Sequence, residues 1–267
     1  MIPEPAPTVR ELLAFYLEAG VDCALAEQPI DRLAELDAPP PAARAAPAEP
    51  PRPVAAPAVM RGEAAPAPDV AISAAREAAR TAPTLEALRE LMQHFEGCAL
   101  KHTATRLVFA DGNPQARIMF VGEAPGRDED IEGLPFVGRS GKLLDLMIGA
   151  IGLNRSTAYI SNVIPWRPPG NRTPTPQETQ ICLPFIQRHI ELVNPDVLVT
   201  LGNPSTQTLL STREGIMRTR GRWFEYETGT RAIRALPTFH PAYLLRSPSY
   251  KRLAWQDLRA IAKALAG

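Results

Sequence analysis

Cysteine is scarce in this chain of 267 residues: there are three, Cys23, Cys98 and Cys182. A sparse, odd set builds no disulfide framework and points to a reducing compartment, so a cytoplasmic protein is expected. Long apolar runs are missing, which leaves no candidate bilayer span and no membrane partner. The N-terminus also lacks the basic and apolar segments of a secretion signal. Net charge is absent, 29 basic residues against 29 acidic ones, so the total names no partner. Two phosphate-binding signatures fail as well. Gly138-Arg139-Ser140-Gly141-Lys142 hints at a P-loop, but that pattern requires Gly where Phe136 stands and Ser or Thr where Leu143 stands. No G-x-G-x-x-G fingerprint for a dinucleotide is present.

Proline and alanine are abundant and unevenly placed. Residues 38–69 hold 10 Pro, and most of the rest is Ala. Such a stretch buries too little apolar surface to fold, so a disordered linker is expected there. Before it, residues 1–37 form an expected helical segment: Thr8 to Ala19 has helical apolar spacing, a Thr8 cap and Gly20 as the stop. A protein partner for this helix is one expectation. Residues 70–267 then form the expected main domain. Charge is uneven too. Residues 1–95 hold 8 Lys/Arg against 14 Asp/Glu, whereas 213–267 are basic and rich in Arg. That asymmetry suits contact with a phosphate backbone; a merely solvated face is the plainer alternative.

From about residue 71, helices are expected at 71–80 and 84–95, and then strands and helices alternate. Strand signals lie at 116–122, 157–164, 196–202 and 233–239, and helix signals at 140–152, 175–193, 203–211 and 249–266. Alternation of this kind predicts an α/β fold, a three-layer α/β/α arrangement around a central, mainly parallel four-stranded sheet. Each predicted strand ends in polar residues beside Gly or Pro: Gly122-Glu123, Ser161-Asn162, Gly202-Asn203 and Phe239-His240. In a parallel sheet these ends share one edge, where ligands bind. Glu123, Asn162 and His240 are therefore expected in one crevice. Phe136, between Pro135 and Val137, supplies an aromatic face suited to a flat polar ring such as a nucleobase.

The motifs Gly122-Glu123-Ala124-Pro125-Gly126 with Glu129-Asp130, Gly133-Leu134-Pro135-Phe136-Val137-Gly138, Asn162 before Arg167-Pro168-Pro169-Gly170-Asn171-Arg172, and His240-Pro241-Ala242-Tyr243-Leu244-Leu245 resemble those of the family 4 uracil-DNA glycosylases. The resemblance covers residues 95 to 262. It implies a monomeric, monofunctional DNA-repair hydrolase that takes uracil-containing DNA, breaks the N-glycosidic bond and leaves an abasic site. The base must first leave the stack. Phe136 would hold the extruded ring, with Gly122 and Asn162 in the base pocket. The Asn162 amide would read the uracil edge, donating to O4 and accepting from N3–H. His240 would stabilise charge building on O2. Glu123 would orient water. In the best-known uracil-DNA glycosylases an Asp follows the corresponding Gln, and here that place is Ala124, so Asp128, Glu129 and Asp130 are held as reserve water-positioning groups. DNA would be gripped by Arg167, Asn171 and Arg172, with Leu244, Leu245 and Arg246 at the positions that enter the duplex, helix core being the alternative for one of the two leucines. The motifs place no Lys to form a Schiff base.

The resemblance also implies a [4Fe-4S] cluster on four cysteines, and here the chain departs from the family. Cys98 and Cys182 match two cluster positions, but Phe95 and Trp166 stand at the others. The expectation is no cofactor, with Phe95 and Trp166 filling the cluster's volume. A cluster with non-cysteine ligands and a zinc site on His94, Cys98, His102 and Cys182 are the alternatives. Two rival functions are a protein that grips flipped uracil without cutting and a covalent uracil-DNA trap. The trap would need a His in an inserted basic loop, and between Asn162 and Thr175 there is no such insertion and no His.

Overall fold

The computed structural model describes residues 68–266. The helix expected at 8–19 lies outside them, as does all of the expected linker but its last two residues, which open the first helix. The described chain runs α1 (Pro68–Thr81), α2 (Leu85–His94), α3 (Leu100–Thr103), β1 (Asp111–Gly112), β2 (Ile118–Gly122), α4 (Arg127–Glu132), α5 (Arg139–Gly149), β3 (Tyr159–Asn162), α6 (Pro176–Val193), β4 (Val197–Leu201), α7 (Asn203–Leu209), α8 (Ile216–Thr219), β5 (Phe224–Glu227), β6 (Ala232–Thr238), α9 (Pro241–Arg246) and α10 (Lys251–Ala266). No described helix is long and apolar enough to cross a membrane.

The four expected strands pair in parallel as β3-β2-β4-β6. The sheet is wider than four strands, because β1 joins β3 and β5 joins β6, both antiparallel, at the two edges. Both additions escape a sequence reading for a reason. β1 has two residues, and β5 shows a half-exposed pattern rather than an apolar run. Every residue of β2 and β4 is buried, as central strands covered on both faces must be.

Alternation along the strands divides the interior in two. Met119, Val121, Tyr159 and Leu198 face one apolar cluster, which includes residues of α1, α2 and α6. Ile118, Phe120, Ile160, Val197 and Val199 face the other, with α5 and α10. This is the three-layer arrangement. α6 starts as its sequence predicts: the Thr175 hydroxyl accepts from the Glu178 N–H, the Glu178 carboxylate accepts from the Thr175 N–H at 2.7 Å, and Pro176 takes the first turn.

The order β3-β2-β4-β6 reverses direction between β2 and β4. A crevice therefore opens at the carboxyl ends of those strands, the topological switch point. Behind this edge the end of β6 is anchored from α10. Asp257 is buried, accepts from the Thr238 hydroxyl at 2.8 Å and from Arg220 Nε at 3.0 Å. Removing one partner of a buried pair leaves the other charge uncompensated. Asp257→Ala is therefore expected to lower stability by about 3–5 kcal/mol, read as a fall in the urea midpoint at unchanged m-value.

Candidate active site

A cavity of about 370 Å³ opens on the carboxyl edge of the sheet, and Glu123, Phe136, Asn162 and His240 all line it. Residues from three strand ends and one loop, far apart in sequence, thus meet around one space. β2 brings Gly122 opposite Asn162 in the last rung of its pairing with β3. The fit at this rung is close. A Cβ on Gly122 would stand 2.4 Å from Asn162 Oδ1 and 2.6 Å from the Phe136 ring, so only glycine lets the amide and the ring approach the strand end together.

Phe136 takes an unusual backbone to get there, with φ of 55°. A left-handed conformation at a bulky residue is strained and persists where surrounding structure over-determines it. Two contacts do so here. Arg155 donates to the carbonyls of Pro135 and Phe136, and is itself held by Asp111 and Asp145. On the other side, a Cβ on Gly141 would lie 1.7 Å from the Phe136 carbonyl oxygen, so the first turn of α5 needs glycine against this loop.

The acidic cluster Asp128-Glu129-Asp130 is used differently from the expectation. Glu129 is buried and its carboxylate accepts from the N–H groups of Gly126, Val137 and Gly138, each at 3.0 Å. It ties the loop before Phe136 to the loop after it. Asp130 is buried and accepts from the Thr105 N–H at 2.7 Å and the Thr105 hydroxyl at 2.9 Å. Each carboxylate is thus engaged by donors of the fold, and Glu129 also lines the cavity. Asp128 is exposed and lies off the cavity lining. Sequence reasoning missed Arg155 and the loop-tying role of Glu129; a Glu on the first turn of a glycine-capped helix is the signal for the second.

The polar groups of the cavity have distinct states. Asn162 is buried, and its Oδ1 is shut off from solvent with no hydrogen-bond partner. Such an orphan is costly unless something occupies it. His240 caps α9: its Nδ1 accepts from the Ala242 N–H at 3.1 Å. The ring proton is therefore on Nε2. Burial, and next the charge of Arg246, push the imidazole pKa down to about 4, so the ring is neutral at physiological pH. Its centroid lies 5.5 Å from that of Phe136, the planes tilted by 31°. Glu123 is partly buried, and loss of solvent pushes its carboxyl pKa upward.

The Uracil DNA glycosylase superfamily profile matches residues 109–259, which takes in β2, Phe136, β3, β4, β6 and His240. The chain belongs to the uracil-DNA glycosylase superfamily. It is similar to the Type-4 uracil-DNA glycosylase of Sulfurisphaera tokodaii, 39% identical over 183 residues that cover 67% of this chain and 83% of that protein. It is also similar to those of Archaeoglobus fulgidus, 40% identical over 178 residues, 65% and 89% of the two chains, and Thermotoga maritima, 40% identical over 177 residues, 65% and 91%.

Within this glycosylase fold, the residues expected to meet DNA separate. Arg167 Nε donates to Asn171 Oδ1 at 2.7 Å, and Asn171 lines the cavity mouth. Arg172 also lines the mouth, but its guanidinium is held by Glu178 at 2.6 and 2.8 Å. Leu244 corrects the expectation: it is 1% exposed and packs in the core with α5 and α10, so it is no wedge. Leu245 is 38% exposed and Arg246 lines the cavity, which leaves these two facing outward on α9.

The cluster positions do come together. Cys98 and Cys182 are buried with their sulfurs 3.9 Å apart, and Phe95 and Trp166 belong to the same apolar cluster. Of the residues named for a zinc site, His94 has its Nδ1 on the Glu90 carbonyl and His102 faces Glu96.

The His240 tautomer gives a pH signature. Its folded-state pKa of about 4 lies below the ordinary 6.5, so the unfolded chain takes up the proton first. The stability it contributes is complete above pH 6.5 and lost as pH falls toward 4. NMR titration is expected to show the ring proton moving near pH 4; a midpoint near 6.5 would contradict the buried, Nδ1-accepting ring.

Proposed function

We propose that this chain removes uracil from DNA by hydrolysing the N-glycosidic bond, leaving an abasic site. The observation that carries this reading is the Asn162 amide, whose Oδ1 is buried and unbonded on the wall of a cavity shared with Phe136 and His240. Uracil supplies the matching donor at N3–H, which cytosine lacks, while Asn162 Nδ2 donates to O4. The flipped ring stacks on Phe136, an interaction worth about 1–3 kcal/mol for a base on an aromatic face.

Bond cleavage puts negative charge on the departing uracil and positive charge on the sugar. The His240 Nε2–H, fixed by the Ala242 contact on the opposite nitrogen, donates to O2 as that oxygen gains charge. A preorganised neutral donor needs no reorganisation at that moment. Glu123 is the carboxylate on the cavity wall that the fold leaves without a hydrogen bond among the described residues. Its desolvated anion gains most from a nearby developing cation, so it offsets the sugar's charge and orients the attacking water. Ala124 offers no polar group for that task. Arg167, Asn171, Arg172, Leu245 and Arg246 form the DNA-facing rim.

The two thiols do not fit a four-thiolate cluster, which needs four strong ligands. In this chain Phe95 and Trp166 fill the core beside Cys98 and Cys182, and packing takes the place of coordination. Protein purified without oxygen is expected to hold no iron and show no visible charge-transfer absorption; one cluster per chain would overturn this part.

The activity is tested on uracil-containing oligonucleotides followed by alkali, where strand breaks are expected after treatment with the wild type and not without enzyme. Asn162→Ala is expected to lower kcat/KM by about 10- to 100-fold through two lost hydrogen bonds, and His240→Ala by about 10²–10³-fold. Retained binding with no strand break by the wild type would support a non-cleaving reader of uracil instead.

A further inference from the structure

Hydrolysis consumes a water in every turnover. A nucleotide seated in the uracil cavity excludes bulk solvent from it. The reacting water therefore needs a place beside Glu123 that the nucleotide does not take, and the fold holds one.

A second, smaller cavity of about 60 Å³ adjoins the first. The two share Glu123, Thr173 and Pro174, so the Glu123 carboxylate stands at their common wall. A water takes up about 30 Å³ of the liquid. The space thus holds about two waters and leaves no room for a nucleotide. Besides Thr173, three hydroxyls line it: Thr179 on α6, and Ser205 and Thr208 on α7. The remaining lining is aliphatic.

Ser and Thr on helices commonly bond back to a carbonyl of the preceding turn. Thr179 does so, donating to the Thr175 carbonyl at 3.1 Å, and Ser205 donates to the Leu201 carbonyl at 3.0 Å. Each keeps lone pairs that can accept from a water. Thr208 differs. On the same helix Thr206 donates to the Gly202 carbonyl at 2.7 Å, but the Thr208 hydroxyl has no partner among the described residues, although it is half-buried on the cavity wall. It can both donate and accept. A water in this cavity finds the two to four polar partners that ordered internal water requires.

We propose that Thr179 and Thr208 are positioning residues that hold water beside Glu123 and supply the attacking molecule when a nucleotide closes the first cavity. The proposal rests on the reading of the first cavity as the uracil site. Glu123 accepts a hydrogen bond from the water that stands at the common wall. The water oxygen bonds to the sugar C1′ as the bond from C1′ to uracil N1 breaks, and uracil leaves with the electron pair. The water's proton passes to Glu123 and returns to solvent through the second cavity.

The test uses the full chain and a single-stranded uracil oligonucleotide under single-turnover conditions, which separate chemistry from product release. Thr179→Val/Thr208→Val keeps the side-chain shape and removes both hydroxyls. It is expected to lower the single-turnover rate about 10-fold. The enzyme concentration at half-saturation is expected to stay unchanged, because these hydroxyls meet water and not DNA. Thr179→Ser/Thr208→Ser is expected to recover the wild-type rate. Thr208→Val alone is expected to give part of the loss at the wild-type urea midpoint, since its hydroxyl serves no bond of the fold, and this single variant keeps the test decisive if the double variant folds poorly. Thr208→Val with the wild-type rate would overturn the proposal. So would a loss that the serine pair does not recover, or one that comes with a raised half-saturation point. A wild type that releases no uracil would instead overturn the reading of the first cavity, and this proposal with it.

Discussion

Glu129 sits on the first turn of a six-residue helix, and its two carboxylate oxygens accept three backbone N–H groups from segments on either side of Phe136. Those donors are otherwise orphans of a helix start and a tight loop. By satisfying them with a buried charge, the fold fixes the span from Gly126 to Gly138 as one unit. Arg155 completes the hold from outside, taking the carbonyls of Pro135 and Phe136 while two aspartates hold it. The strained backbone of Phe136 is affordable only because both ends of its loop are pinned this way. Without that restraint the aromatic plate would not stand beside Asn162, and the cavity would lose its floor.

The cavity also holds groups that the fold leaves unsatisfied. Nearly every buried polar atom in the described chain has a partner. Asn162 Oδ1 has none, Glu123 is left in a poorly solvated wall, and His240 presents its Nε2–H because Nδ1 is occupied by Ala242. In the reaction proposed above, each of these groups would gain from a uracil anion leaving a cationic sugar. This is the physical content of complementarity to the transition state.

The other half of the molecule bears on robustness. In the apolar cluster beneath α1, α2 and α6, Phe95 meets Phe185 edge-on at 5.0 Å between ring centroids, and Trp166 is 2% exposed. Cys98 and Cys182 lie among them as small buried side chains. Dispersion and apolar burial act at this place whatever the redox state of the surroundings, and the layer that carries Asn162 and the Pro-rich loop is supported from behind by it.

Much of this protein is written along the chain. The apolar runs of β2 and β4, the capping box at Thr175 and the alternation of strand and helix specify a parallel sheet with helices on both faces. Strand ends rich in Gly, Asn and His, with Phe136 between small residues, also mark the cavity wall, because parallel strands must end on one edge. Tertiary structure decided the rest. Only packing shows that Leu244 is core and Leu245 is surface, since both are equally apolar in sequence and differ by the 100° turn of a helix. It alone turns the acidic cluster from solvated charge into the clasp of the loop, because a carboxylate's role depends on which N–H groups reach it. The edge strands β1 and β5 exist through their neighbours' unpaired backbone rather than through any pattern of their own.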